Sequence, residues 1–111
     1  MSEAIIDPAT FAELQETAGA DFVNELVQTF MEEAPAMLQE LREALAAGKA
    51  DDYRRAAHSL KSNSLTFGAR TLGAMAREQE LGGLPPDGAP VDALAQEYER
   101  VAAALTELCH G

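Results

Sequence analysis

Positive charge is scarce in this chain. Eight lysines and arginines stand against nineteen aspartates and glutamates in 111 residues, a formal net charge of -11. That balance argues against nucleic-acid binding, which needs a basic surface to meet phosphates. It also biases partners toward basic patches. Cysteine is nearly absent: Cys109 stands alone, so no internal disulfide can form and a reducing compartment is expected. Tryptophan is missing and aromatics make up 5% of the residues, while alanine and leucine are plentiful. Such a composition favours helix on helix, since strands draw on more valine, isoleucine and threonine. No apolar run approaches the roughly 20 residues that span a bilayer. The start, "MSEAIIDPAT", lacks the basic segment and apolar stretch of a secretory signal. A cytoplasmic protein with no membrane partner is the expectation. The length suits one domain over residues 1–111.

What is present is helical periodicity. In "IIDPATFAEL", Asp7 can cap a helix, Pro8 suits its first position, and Phe11 and Leu14 share a face. This helix is short, ends near Gly19, and is expected to lid a larger unit. A second helix is predicted from Asp21 to about Ala47, stopped by Gly48. Its apolar stripe is Val23, Leu26, Phe30, Ala34, Met37, Leu41 and Leu45, with a kink expected at Pro35. A third runs from Asp51 or Asp52 to about Phe67, and a fourth from Ala69 to Leu81. "GGLPPDGAP", residues 82–90, reads as a loop. The last helix carries Val91, Leu94, Tyr98, Val101, Leu105 and Leu108 at spacings of three and four. The fold class is all-α: an antiparallel four-helix bundle with a short N-terminal lid helix.

The third helix carries one of two histidines, and it is not on the apolar face. With His58 as zero, Tyr53, Ala56, Ala57, Leu60, Ser64 and Phe67 fall between about 160° and 260° and form the inward stripe. Arg54, Arg55, Lys61, Ser62 and Leu65 fall within about 60° of the histidine. The imidazole is therefore expected to face outward, flanked by cations. The surrounding charge is of unusual sign: from Tyr53 to Arg77 there are Arg54, Arg55, Lys61, Arg70 and Arg77 and no acid. A basic patch in an acidic protein should attract an anion or an acidic cleft that the rest of the molecule repels. Leu65 beside it, with small Ser59 and Ser62, has the make-up of a docking spot.

These residues carry a resemblance. "AHSLKSNSLTFGA", residues 57–69, resembles the signature of histidine-containing phosphotransfer (HPt) domains: a histidine, one residue, an apolar residue, a lysine, a small residue, and later a Gly-Ala pair. Here these are His58, Leu60, Lys61, Ser62, Gly68 and Ala69; most members have glycine where this chain has Ser62. The preceding helix with its internal proline and the short opening helix match as well, so the likeness spans nearly the whole chain. The resemblance implies a phosphorelay intermediate in two-component signalling. It would accept a phosphoryl group on His58 from a receiver-domain phosphoaspartate or a hybrid kinase and pass it to a response-regulator aspartate.

In that role His58 would be the acceptor through Nε2, with Lys61 near the phosphoryl oxygens. A polar residue on the following helix, Glu80 or Gln79, would stand near the histidine. Arg54, Arg55, Ser62, Leu65, Gly68 and Glu80 are expected at the docking surface. The implied partners are receiver domains and a sensor or hybrid histidine kinase, and the chain is expected to be a monomer. No cofactor is expected on it, Mg²⁺ belonging to the receiver. There is no Gly-rich phosphate loop followed by lysine, so autonomous kinase activity is not expected.

Two other readings use the same residues. A non-catalytic helical interaction module explains the bundle and the acidic surface, but not the clustered cations around a histidine. A metal-site or hydrolase reading would need His58, His110, Cys109 or carboxylates to converge, and hydrolysis would want a second catalytic group beside His58, where only cations are near. Cys109 and His110 are adjacent, so on a helix they face different ways, and no third ligand has suitable spacing.

Overall fold

The computed structural model describes residues 5–110, with the side chain of His110 outside the described residues. The metal-site reading that used His110 therefore falls partly outside them. Among the described residues five helices follow one another: α1 Pro8–Ala18, α2 Ala20–Ala47, α3 Ala50–Thr66, α4 Arg70–Leu81 and α5 Ala89–His110. Among the described residues there is no strand. Helices α2 to α5 pack in a ring, each against its neighbours in sequence, with α5 closing on α2. Two of the links are two or three residues long, which makes those neighbours antiparallel. This is the expected four-helix bundle, and α1 lies against α2 as the lid.

Local chemistry sets the breaks. Asp7 caps α1, its carboxylate accepting from the Thr10 N–H at 3.3 Å and from the Thr10 hydroxyl. The Thr10 hydroxyl, with Arg70 at 3.1 Å, holds the Asp7 carboxyl below the usual carboxylate range. Gly48 ends α2 in the left-handed region, at φ 70°. Buried Gly68 turns the chain between α3 and α4 at φ 84°, and the Asp7 N–H donates to its carbonyl at 2.9 Å. A Cβ at Gly68 would lie 3.1 Å from the Asp7 carbonyl oxygen and from the Thr10 Cβ. Gly68→Ala is thus expected to cost roughly 1–2 kcal/mol from the backbone conformation alone, with more from crowding against α1. A thermal melt of the variant reads this directly.

The core is continuous through the ring, from Val23, Phe30 and Leu41 to Leu60, Leu72, Leu94 and Leu105. On α2 the buried stripe is rotated slightly from the predicted one. Val27, Leu38 and Ala44 are buried, while Leu26, Met37 and Leu45 are half-buried at its edge. Both sets have helical spacing. Phe30 is the central aromatic, 5.4 Å from the Phe67 ring and 5.9 Å from Tyr98, edge to face with the latter.

Helix α2 continues through Pro35. The proline has no N–H to give the carbonyl four residues back, that of Met31. The hydroxyl of Tyr98 on α5 donates to that carbonyl at 3.2 Å. The interruption in α2 is thus filled from across the bundle. Tyr98→Phe is expected to cost about 1–2 kcal/mol by orphaning the carbonyl. The same change should cost less in a Pro35→Ala background, where the helix supplies its own donor. Urea unfolding of the two single variants and the double variant measures the coupling.

Candidate phosphoacceptor site

Helix α3 reaches the surface as a ridge between α2 and α4. All six residues of its predicted inward stripe are buried: Tyr53, Ala56, Ala57, Leu60, Ser64 and Phe67. The opposite side therefore faces solvent, and the His58 side chain is 56% exposed there. Helix α3 is fixed on both flanks. Tyr53 donates its hydroxyl to the Gln79 Oε1 on α4 at 2.8 Å, and the Ser64 hydroxyl turns back to the Leu60 carbonyl. An imidazole on such an element holds its direction better than one on a loop.

Glu80 on α4 meets both His58 and Lys61. Its Oε2 lies 2.6 Å from the His58 Nδ1, and its Oε1 lies 2.7 Å from the Lys61 Nζ. The second contact is off the line of a good hydrogen bond and is held by charge. Glu80 is 13% exposed, so it sits beneath the histidine rather than beside it on the surface. Lys61 first, then the His58 ring, lower the Glu80 carboxyl below its ordinary value, against the opposing effect of burial. A lowered folded value means that the pairing favours the folded site above the ordinary carboxylate range. That contribution disappears as pH falls through the depressed value.

At neutral pH Glu80 is therefore ionised, and an ionised carboxylate can only accept. In the neutral imidazole the proton must then sit on Nδ1. Nε2 is left with its lone pair. The tautomer follows from the partner of the other nitrogen, as in other oriented histidines. Lys61 is 22% exposed and directs its ammonium to Glu80, leaving further N–H donors for another anion.

The other predicted site residues divide. Arg54, Arg55, Ser62 and Leu65 are exposed on the same side of α3 as the histidine. Two expectations need correction. Gly68 is buried beneath the start of α1, so it shapes the turn and presents no docking surface. Glu80 orients the histidine from below and is not a surface docking residue; Gln79, the alternative for its position, is engaged by Tyr53.

The basic patch is also less bare than the sequence window implies. Asp51 and Asp52 precede it by one turn and meet Arg54 at 3.9 Å and Arg55 at 3.0 Å. Asp7 reaches Arg70 from α1, and Glu80 takes Lys61. Chain folding brings these acids to cations that the linear window separates from them. The exposed pairs of Arg54 and Arg55 contribute little to stability and can be exchanged for a partner's charges, unlike the largely buried Lys61–Glu80 pair.

Sequence reasoning missed Gly73. It lies inside α4 and is buried, and a Cβ there would come within 2.6 Å of Leu65 Cδ2 and 3.8 Å of the Lys61 carbonyl. A glycine inside a helical pattern is the signal that could have revealed this close approach. On the other flank of the ridge, a hollow of about 490 Å³ between α2 and α3 is lined by Glu40, Glu43, Lys49, Asp52, Arg55 and Ser59. It contains neither His58 nor Glu80.

The protein is thus an all-helical bundle presenting the exposed His58, whose inner nitrogen is held by a carboxylate. The Hpt domain family model matches residues 25–104, and the chain belongs to that family. No curated protein and no solved structure gives a significant match to the chain. Family membership places it in histidine phosphotransfer within two-component signalling, among modules that carry phosphoryl groups and deal with receiver domains and histidine kinases. Among the described residues no helix is long and apolar enough to cross a membrane.

Proposed function

We propose that His58 is the phosphoryl carrier of a phosphorelay, taking the group on Nε2 from a receiver phosphoaspartate and returning it to another receiver aspartate. The observation that supports this most is the pairing of Nδ1 with Glu80, which in the neutral ring leaves the lone pair on Nε2, on a side chain that is 56% exposed. In the transfer, the Nε2 lone pair attacks phosphorus. The N–P bond forms as the bond from phosphorus to the aspartyl oxygen breaks, and the aspartate leaves as carboxylate. The Nδ1 proton stays between the ring and Glu80, whose negative charge offsets the positive charge that the ring gains. Passing the group on reverses each step.

Phosphoryl transfer depends mainly on alignment and charge stabilisation. Alignment comes from α3 and Glu80. Charge stabilisation on this side comes from Lys61, whose remaining donors suit phosphoryl oxygens. The Mg²⁺ and the acidic pocket that complete the reaction belong to the receiver, so the carrier is half of a site. The cations of α3 complement such a pocket. No ATP-dependent step is assigned to the chain. Incubation with a panel of phosphorylated receivers tests the proposal: label moves to the carrier and back to a second receiver. Failure of every receiver to donate or accept would contradict it.

A further inference from the structure

Leu65 stands seven residues beyond His58, almost in line with it and about 10 Å further along α3. It is 47% exposed, yet its position is not free. The notch left by Gly73 on α4 receives its side chain: a built Cβ would fall 2.9 Å from Leu65 Cγ as well as 2.6 Å from Cδ2. The leucine is therefore a seated apolar knob lying across the α3–α4 seam. Arg77 lies four residues after Gly73 and three before Glu80, on the same side of α4. Of the five cations between Tyr53 and Arg77, it is the one with no carboxylate within 4 Å among the described residues.

Resting on the phosphoryl-carrier reading, we infer that Leu65, seated by Gly73, and Arg77 form a specificity-determining contact for the receiver domain. The occupant follows from position. A folded partner covering about 800 Å² around His58 must also cover a knob about 10 Å away. The matching receiver surface carries an apolar depression with a carboxylate at its rim, since Arg77 brings an unspent positive charge next to an apolar side chain. These three residues act on recognition and leave the chemistry at Nε2 alone. Helix α4 thereby contributes on both sides of the seam: Glu80 sets the imidazole, and Gly73 with Arg77 sets which receiver can reach it.

The test separates docking from chemistry by changing the donor. Phosphoramidate, a small donor with a P–N bond, labels His58 without a docking surface, whereas a phosphorylated receiver needs one. Leu65→Ala and Arg77→Gln are each expected to raise the KM for a cognate receiver roughly tenfold, the scale of a central contact. Labelling by phosphoramidate should be unchanged. Gly73→Ala should act in the same direction by displacing Leu65 with no change of charge; Arg77→Lys should recover part of the Arg77→Gln loss. An unchanged receiver KM in both Leu65→Ala and Arg77→Gln overturns the inference, as does an equal loss with both donors. If the unaltered protein takes label from neither donor, the carrier reading itself fails.

Discussion

His58→Gln is expected to abolish phosphoryl transfer completely while leaving the fold intact. Glutamine keeps a polar side chain on the ridge of α3 but has no nucleophilic ring nitrogen. The replaced side chain is 56% exposed, where substitutions usually change stability by under about 0.5 kcal/mol. Receiver-derived label that is stable to base and labile to acid should appear on the unaltered protein and be absent from the variant. Circular dichroism should superimpose for the two. Transfer that survives this substitution would remove the histidine from the mechanism and favour the interaction-module reading.

Glu80→Ala should have the next largest effect. It removes the acceptor at 2.6 Å from Nδ1 and the carboxylate at 2.7 Å from Lys61. The ring then loses its fixed tautomer, and an ammonium once held by Glu80 is left to find another partner. Loss of the group that orients a functional imidazole typically costs about 10- to 100-fold. A slowdown of that size in single-turnover transfer is expected. Glu80→Gln keeps an acceptor but not the charge that balances the phosphorylated ring, so it should fall between the alanine variant and the unaltered protein. Lys61→Ala separates the two roles, since it spares the Nδ1 contact and removes the cation. A transfer rate in Glu80→Ala equal to that of the unaltered protein would make the carboxylate a bystander.

Much of this was legible in the sequence because the relevant facts are local. Helical spacing alone predicts that Tyr53, Ala56, Ala57, Leu60, Ser64 and Phe67 turn inward, and all six are buried. The outward direction of His58 follows from the same angle. Asp7, Pro8 and Gly48 mark helix ends through their own backbone chemistry, and the boundaries fall where they indicate.

The features that escaped depend on which elements meet. The resemblance implied that Glu80 or Gln79 would stand near His58, but which of the two does so, and that it lies under the ring, depends on the packing of α4 on α3 across 22 residues of sequence. Likewise, nothing near Pro35 in sequence shows that Tyr98 will serve the carbonyl it orphans. The acid-free window from Tyr53 to Arg77 misleads for the same reason, because its cations find acids on α1, on α4 and one turn upstream. Gly68 looked like surface because a motif gives no depth; α1 covers it.

A division of labour follows within the bundle. Helices α2 and α5 supply the bulk of the core, with the Pro35 interruption closed by Tyr98. Helix α3 carries the histidine proposed as phosphoryl carrier, and α4 supplies the carboxylate that meets its Nδ1. Because α4 also seats Leu65 through Gly73, one helix–helix contact holds both His58 and part of its surroundings.

The atom that bears the phosphoryl group tests the account most directly. Phosphorus–nitrogen correlation by NMR on the receiver-phosphorylated protein identifies it. A single phosphoryl group on Nε2 of His58, with the Nδ1 proton retained, is the predicted result. A phosphoryl group on Nδ1 or on any other residue would contradict it, since Glu80 occupies the inner nitrogen and leaves only the outer one to react.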